Sequence, residues 1–137
     1  MIFIGIDTGT HTGVAVWDSE ERQFIDIKTL KLHQALQLVI TMCKVWHKEN
    51  VVVLFEDARQ RKWFGHKANA KMQGAGSVKR DAAIWEEFCT DYEIAFRALP
   101  PAKGQTKLSP DYFKSLTGWK GRTSDHARDA AMIVFGR

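Results

Sequence analysis

The chain has 137 residues, 45% of them hydrophobic, which is enough for one hydrophobic core in a single domain spanning residues 1–137. Lysine and arginine outnumber aspartate and glutamate by 20 to 16, and the formal net charge of +4 favours an anionic partner without naming it. No apolar run approaches membrane-spanning length and no signal segment opens the chain, so we expect a cytoplasmic protein without a membrane partner.

The first third of the chain has the pattern of three strands. Residues 1–6 form an apolar run that ends at Asp7, and a stretch rich in turn residues separates it from a second apolar alternation at Val14, Val16 and Trp17. Residues 24–30 alternate as a half-buried strand, with Ile25 and Ile27 on one face. These features predict an antiparallel meander.

The pattern then changes to a helix followed by a buried strand. Apolar residues recur at helical spacing at Leu32, Leu36, Val39, Ile40, Cys43 and Trp46. Residues 51–55 are a continuous apolar run ending at Glu56, which is typical of a strand buried on both faces of a sheet. A helix that leads into a central strand predicts a parallel β-α-β step.

The second half alternates helices with one more strand. Residues 57–79 are polar, basic and irregular, with glycine breakers, and lead into a helix that carries Trp85 and Cys89. A fifth strand over residues 94–99 ends before two prolines. Ser109 and Ser124 are predicted N-caps of two further helices, the last over residues 124–135. The predicted fold class is α/β, with a five-stranded mixed sheet, three antiparallel strands then parallel strands, flanked by helices.

Two cysteines, Cys43 and Cys89, lie in these helical segments, far apart and without the spacing of metal ligands. We expect both to be free thiols in the core.

Acidic residues stand where two buried strands end. Asp7 and Glu56 both lie at carboxyl ends of strands, which in a sheet with parallel neighbours line the ligand-binding crevice. In the last helix, Asp125, His126 and Asp129 fall within about one third of the circumference. Clustered carboxylates favour a hard divalent cation, so Asp7, Glu56, His126 and Asp129 are a candidate site for two Mg²⁺ about 3.5–4 Å apart that drive hydrolysis of a phosphodiester.

Each of these residues also has a plainer interpretation. An acid at a strand end is often a turn or cap residue, as Asp7 would then be. Asp125 beside the predicted N-cap fits an interaction with the helix dipole. His126 alone fits a histidine satisfied by its surroundings. The convergence of acids from two strands and one helix is what favours the functional interpretation.

Three motifs carry a family resemblance. Ile4-Gly5-Ile6-Asp7-Thr8-Gly9 with Thr12-Gly13-Val14-Ala15, then Val52-Val53-Leu54-Phe55-Glu56, and then Ser124-Asp125-His126-Ala127-Arg128-Asp129-Ala130-Ala131 stand in order along nearly the whole chain. They resemble the motifs of the RuvC-type Holliday-junction resolvases, which belong to the RNase H-like superfamily. Sugar kinases and actin-like ATPases share a turn like the first motif, but the third motif and the short chain favour the resolvases.

The resemblance implies an RNase H-like fold and a Mg²⁺-dependent endodeoxyribonuclease of DNA recombination and repair, with Mn²⁺ as a substitute. It places metal ligands at Asp7, Glu56, His126 and Asp129, and leaves Asp125 one residue out of register. It implies branched DNA, such as a four-way junction, as the substrate. Resolution of such a junction needs two symmetric cuts, which implies a homodimer. The loop after Glu56 is longer and more basic than expected for the bacterial enzyme, so the chain resembles compact phage or prophage members.

That loop mixes cations with aromatic rings. Cations neutralise phosphates and aromatic rings stack on unpaired bases, so the segment is a candidate DNA contact, although Trp63 or Phe64 could equally anchor the loop to the body. A second basic stretch, for which a solvated surface is the default, could flank another arm of a junction. The candidate DNA contacts are Arg59, Arg61, Lys62, Trp63, Phe64, Lys67, Lys71, Lys79 and Arg80, and the second stretch comprises Lys103, Lys107, Lys114, Lys120 and Arg122.

Two alternatives stay open. Another nuclease of the RNase H-like superfamily, acting on RNA or flap DNA, would use the same ligands. A nucleic-acid-binding module without catalysis is the other, and a cleavage assay with Mg²⁺ separates it from both nucleases.

Overall fold

The computed structural model describes residues 1–60, 75–102 and 107–137. These parts of the chain contain five strands and four helices in nearly the predicted order. The strands are β1 (Ile2–Asp7), β2 (His11–Asp18), β3 (Gln23–Lys31), β4 (Val51–Glu56) and β5 (Ala95–Leu99). The helices are α1 (Leu32–Trp46), α2 (Ala75–Asp91), α3 (Pro110–Thr117) and α4 (Asp125–Val134), with 3₁₀ turns at Lys48–Asn50 and Ala58–Gln60.

The strands form one mixed sheet in the order β3-β2-β1-β4-β5. The first three strands pair antiparallel, with Asp7 opposite Gly13, and β4 pairs parallel to β1, with Phe55 beside Ile6. β5 completes the parallel half beside β4. The α/β class, the mixed sheet and its flanking helices are therefore confirmed, and the carboxyl ends of β1 and β4 lie side by side at one edge.

Strand alternation divides the core into two clusters, one on each face of the sheet. Even-numbered residues of β1 and odd-numbered residues of β4 face α1 and α2, where Trp85 is fully buried. The opposite residues of these strands face α3 and α4, whose Phe113 and Val134 are fully buried. Asp7 is an odd-numbered residue of β1 and Glu56 an even-numbered residue of β4. Both therefore belong to the face that α4 covers.

The simple alternation expected for the third strand is wrong at one position. The pairing of β2 with β3 shifts between Val16 and Trp17, so that Ile25 is left without a partner in a β-bulge. The extra residue puts Phe24 and Ile27 on the same buried face and leaves Ile25 38% exposed. A bulge cannot be found from alternation alone, because it breaks the period on which the prediction rests.

Two further expectations need correction. α2 begins at Ala75, so the segment expected to be irregular up to residue 79 is helical from there, and Gly76, expected to be a breaker, lies inside the first turn. Trp46, expected on the buried face of α1, is 37% exposed in the last turn. There Asn50 donates its side-chain amide to the Trp46 carbonyl at 3.0 Å, so this turn packs on the following 3₁₀ turn.

The predicted capping residues are confirmed. Ser109 accepts a hydrogen bond from the Tyr112 amide ahead of Pro110, and Ser124 accepts one from the Ala127 amide. Both cysteines are free, Cys89 fully buried and Cys43 partly so. In the described parts of the chain, no helix combines the length and the apolar character needed to cross a membrane.

Candidate functional site

Two glycines let α4 lie directly on the sheet. A Cβ atom added to Gly5 would overlap the carbonyl oxygen of Ala130, and one added to Gly13 would overlap that of His126. A glycine inside a strand often marks such a close backbone approach. Because Gly13 pairs with Asp7 across β1 and β2, this contact brings the first turn of α4 to the end of β1.

The start of α4 is also fixed by polar contacts. The Ser124 hydroxyl, which caps the helix, shares a hydrogen bond with the Thr29 hydroxyl of β3. Arg128 is 5% exposed and donates to the carbonyl oxygens of Leu108 and Thr123 at 2.9 and 2.7 Å. Its guanidinium therefore ties the helix to the segment that precedes it.

These supports place His126 against Asp7. Nδ1 of His126 lies 2.8 Å from Oδ2 of Asp7, so the two side chains share a hydrogen bond. The Asp7 side chain is 27% exposed and that of His126 48%, which leaves the pair open to solvent. The structure thus brings together two of the four residues predicted as metal ligands, from elements 119 positions apart in sequence.

Asp129 belongs to the same group. Burial raises the pKa of the Asp7 carboxyl, the hydrogen bond from His126 opposes that rise, and the negative charge of Asp129 adds to it. Lys107 lies beside Asp129, with its Nζ 3.8 Å from Oδ2 of that residue, and its charge slightly lowers the pKa of Asp7. The pKa of Asp7 stays above its ordinary value, so an additional positive charge nearby would stabilise its ionised carboxylate.

Glu56 ends β4 next to the end of β1, on the face that α4 covers, and it is half-buried. Among the residues that the structure describes, no group of three or more His, Cys, Asp and Glu side chains is arranged to hold a metal ion as it stands. Asp7 and His126 are hydrogen-bonded to each other. The metal-ligand assignment of the four residues stays a prediction.

The donor set nevertheless suits a hard divalent cation. Three carboxylates and one imidazole supply oxygen and nitrogen donors, and Mg²⁺ takes carboxylate oxygens in preference to softer groups. Burial, the main cause of the raised pKa of Asp7, disfavours its charged carboxylate, which a bound cation would stabilise. The residues therefore fit a Mg²⁺ site.

Asp125 is directed elsewhere. Its carboxylate pairs with the buried guanidinium of Arg128, one helical turn later. This contact gives Asp125 a structural partner and agrees with its place outside the predicted ligand register.

Arg59, a predicted DNA contact, is engaged within the protein. Its guanidinium binds both carboxylate oxygens of Asp57, at 2.8 and 3.0 Å, and also pairs with Glu86 of α2. Asp57 is 5% exposed, and the hydrogen bond from Arg59 lowers the pKa of its carboxyl. Arg59 thus joins the end of β4 to α2, which is a structural role that the basic pattern did not reveal.

The remaining predicted contacts divide into three groups. In α2, Arg80 is exposed and Lys79 half-buried, and Arg80 lies near the turn that follows β1. Most of the second basic stretch is exposed, at Lys107, Lys114, Lys120 and Arg122. Outside the described residues lie Arg61, Lys62, Trp63, Phe64, Lys67, Lys71 and Lys103. DNA binding by any of these residues stays a prediction.

The supports of the site were not predicted from the sequence. Gly5, Gly13 and Arg128 lie within the three motifs, and a glycine inside a strand is a signal of close packing. Comparison with known proteins adds nothing to these findings, since no family model, no curated protein and no solved structure matches the chain.

Proposed function

We propose that this protein is a Mg²⁺-dependent endodeoxyribonuclease with an RNase H-like fold that cuts branched DNA such as a four-way junction. One observation carries the proposal. The carboxylate of Asp7, at the end of the central strand, meets His126 and the charge of Asp129 from α4, on the face to which Glu56 also belongs. The strand and helix order, with acids closing β1 and β4, agrees with an RNase H-like fold.

Asp7, Glu56, His126 and Asp129 would hold the metal, and Mn²⁺ would substitute for Mg²⁺. When bound, two such ions activate water for attack on a phosphodiester and stabilise the leaving oxygen. The protein's own contribution is to hold the donors in place. Gly13 and Arg128 fix α4, and His126 holds the Asp7 carboxylate at 2.8 Å.

Basic side chains around the site support a nucleic-acid substrate. Lys107, 64% exposed beside Asp129, is placed to neutralise a phosphate near the carboxylates. Arg80 is exposed near the turn that follows Asp7. Cations are needed there because a phosphodiester would otherwise be repelled by the acids.

Branched DNA follows from the resemblance of the three motifs to those of the resolvases. Resolution of a four-way junction requires two symmetric cuts, so the active form we propose is a two-fold homodimer. RNA or flap DNA as substrate, and binding without cleavage, are the competing functions.

A panel of labelled substrates tests the proposal. The protein is incubated with Mg²⁺ and a four-way junction, a flap duplex, an RNA–DNA hybrid or plain duplex DNA, and nicks are mapped on every strand. The proposal predicts paired nicks in the junction and little cleavage of plain duplex. Preferred cleavage of the hybrid or the flap would assign another nuclease activity, and tight binding without nicks would leave a binding module.

A further inference from the structure

A cleft of about 410 Å³ opens beside the candidate site, on the other face of the sheet. Three segments form it: the turn between β1 and β2, the start of α1, and the first half of α2. Its volume falls within the range of small-molecule pockets. None of the residues predicted as metal ligands lines it.

Local hydrogen bonds order two walls of the cleft. The buried Thr12 hydroxyl donates to the Gly9 carbonyl at 2.7 Å and shapes the turn after β1. The Lys31 amide donates to the Gln34 side chain at 3.0 Å and orders the first turn of α1. These hydrogen bonds hold two of the three segments that form the cleft.

The cleft combines an apolar lining with cationic and ring-bearing side chains. Leu32 and Ile84, both half-buried, supply the apolar surface. Lys31 and Arg80 are exposed and cationic, which suits a phosphate. A purely apolar ligand would leave these cations unused.

Three further side chains favour a nucleobase over a simple anion. The exposed imidazoles of His11 and His33 line the cleft, and histidine is one of the side chains on which unstacked bases stack. Asp81 is an acceptor for an exocyclic amino group, of the kind that acidic side chains accept from cytosine. Inorganic phosphate alone would use neither the rings nor the acid.

The cleft lies close to the candidate site. Gly9 is two residues after Asp7, and two residues span at most about 7 Å. Asp7 faces α4 while the cleft faces α1 and α2, so a DNA strand that crosses the end of β1 reaches both.

We propose that this cleft holds one unpaired nucleotide of the DNA strand, next to the phosphate that lies at Asp7. The base lies among His11, His33 and the apolar lining, and its phosphate lies between Lys31 and Arg80. The inference rests on the proposed function for the source of that nucleotide, but binding in the cleft is measured without cleavage.

The test is titration with a short single-stranded oligodeoxynucleotide, without Mg²⁺, while the imidazole NMR signals of His11 and His33 are followed. We expect both signals to shift. His33→Ala should weaken binding at least about fivefold, since loss of one stacking contact costs this much or more. Replacing Lys31 and Arg80 with alanine should lower the salt dependence of binding by about 0.7 units of slope per lost phosphate contact, the value for a single strand. Lys44→Ala, at the far end of α1, should change neither the affinity nor the salt dependence.

Other results would overturn the inference. Unshifted imidazole signals on saturation with the oligonucleotide would place the strand elsewhere. Equal shifts with inorganic phosphate, with an unchanged affinity of His33→Ala for the oligonucleotide, would make the cleft a simple anion site.

If the cleft binds the oligonucleotide but the junction is never nicked, the proposed nuclease activity fails and the nucleotide site stands.

Discussion

Gly13 of β2 lies against the backbone carbonyl of His126, so close that a Cβ atom at this position would overlap the oxygen. The same glycine pairs with Asp7 across the sheet. The lack of a side chain at this position therefore lets the first turn of α4 come close to the end of β1. The geometry of the candidate site depends on a residue that carries no side chain.

The first prediction concerns this contact. Gly13→Ala should move α4 away from the sheet and destabilise the fold by about 1–3 kcal/mol, the usual cost of overpacking a close contact. Urea denaturation measures the change. Gly76→Ala is the matched control, because Gly76 has open space around its Cβ position inside α2, and alanine there should leave stability unchanged or raise it by up to about 1 kcal/mol. Equal stability of Gly13→Ala and wild type would show that α4 does not press on β2.

The second prediction separates the structural role of Arg59 from DNA contact. Arg59→Ala leaves the buried Asp57 carboxylate without its main partner, so unfolding free energy should fall by about 1–3 kcal/mol. Glu86→Ala should cost less, about 0.2–1 kcal/mol, because the Glu86 side chain is 44% exposed. Glu87→Ala, next to it and exposed, is the control. Unaltered stability of Arg59→Ala together with weaker junction binding would restore Arg59 to the DNA surface.

The third prediction concerns Cys89. Burial raises the pKa of its thiol from 9.0 to about 12, with a smaller contribution from Cys43. Since the folded state favours the protonated thiol, its contribution to stability is complete below about pH 9 and is lost as the pH rises toward 12. Alkylation of the native protein near neutral pH should therefore spare Cys89 until denaturant is added. Rapid labelling of Cys89 in the native state would contradict its burial.

Much of the fold follows from hydrophobic patterning. Residues 51–55 are apolar without interruption because β4 is covered on both faces, and the spacing of Ala127, Ala130, Ala131 and Val134 marks the buried side of α4. Those signals are local. The bulge at Ile25 depends on pairing with β2, so the pattern of one strand could not predict it.

The site was predictable in part for the same reason. Strand ends and helical spacing located Asp7, Glu56, His126 and Asp129, and the structure pairs Asp7 with His126. Glu86, the long-range partner of Arg59, could not be predicted, because it is 27 positions away and only the packing of α2 brings it near. A basic residue in a basic segment looks the same whether its partner is a phosphate or a carboxylate.

Cleavage of a four-way junction by Asp7→Asn tests the central claim most directly. The amide keeps the size of the carboxylate but not its charge, so we expect a folded protein that still binds the junction and loses cleavage by more than the 10–100-fold typical of losing an outer-shell partner of a metal. Asp125→Asn, whose carboxylate pairs with Arg128, is the control and should stay active. Near-normal cleavage by folded Asp7→Asn, or greater loss in Asp125→Asn, would contradict the assignment of Asp7 to the metal site.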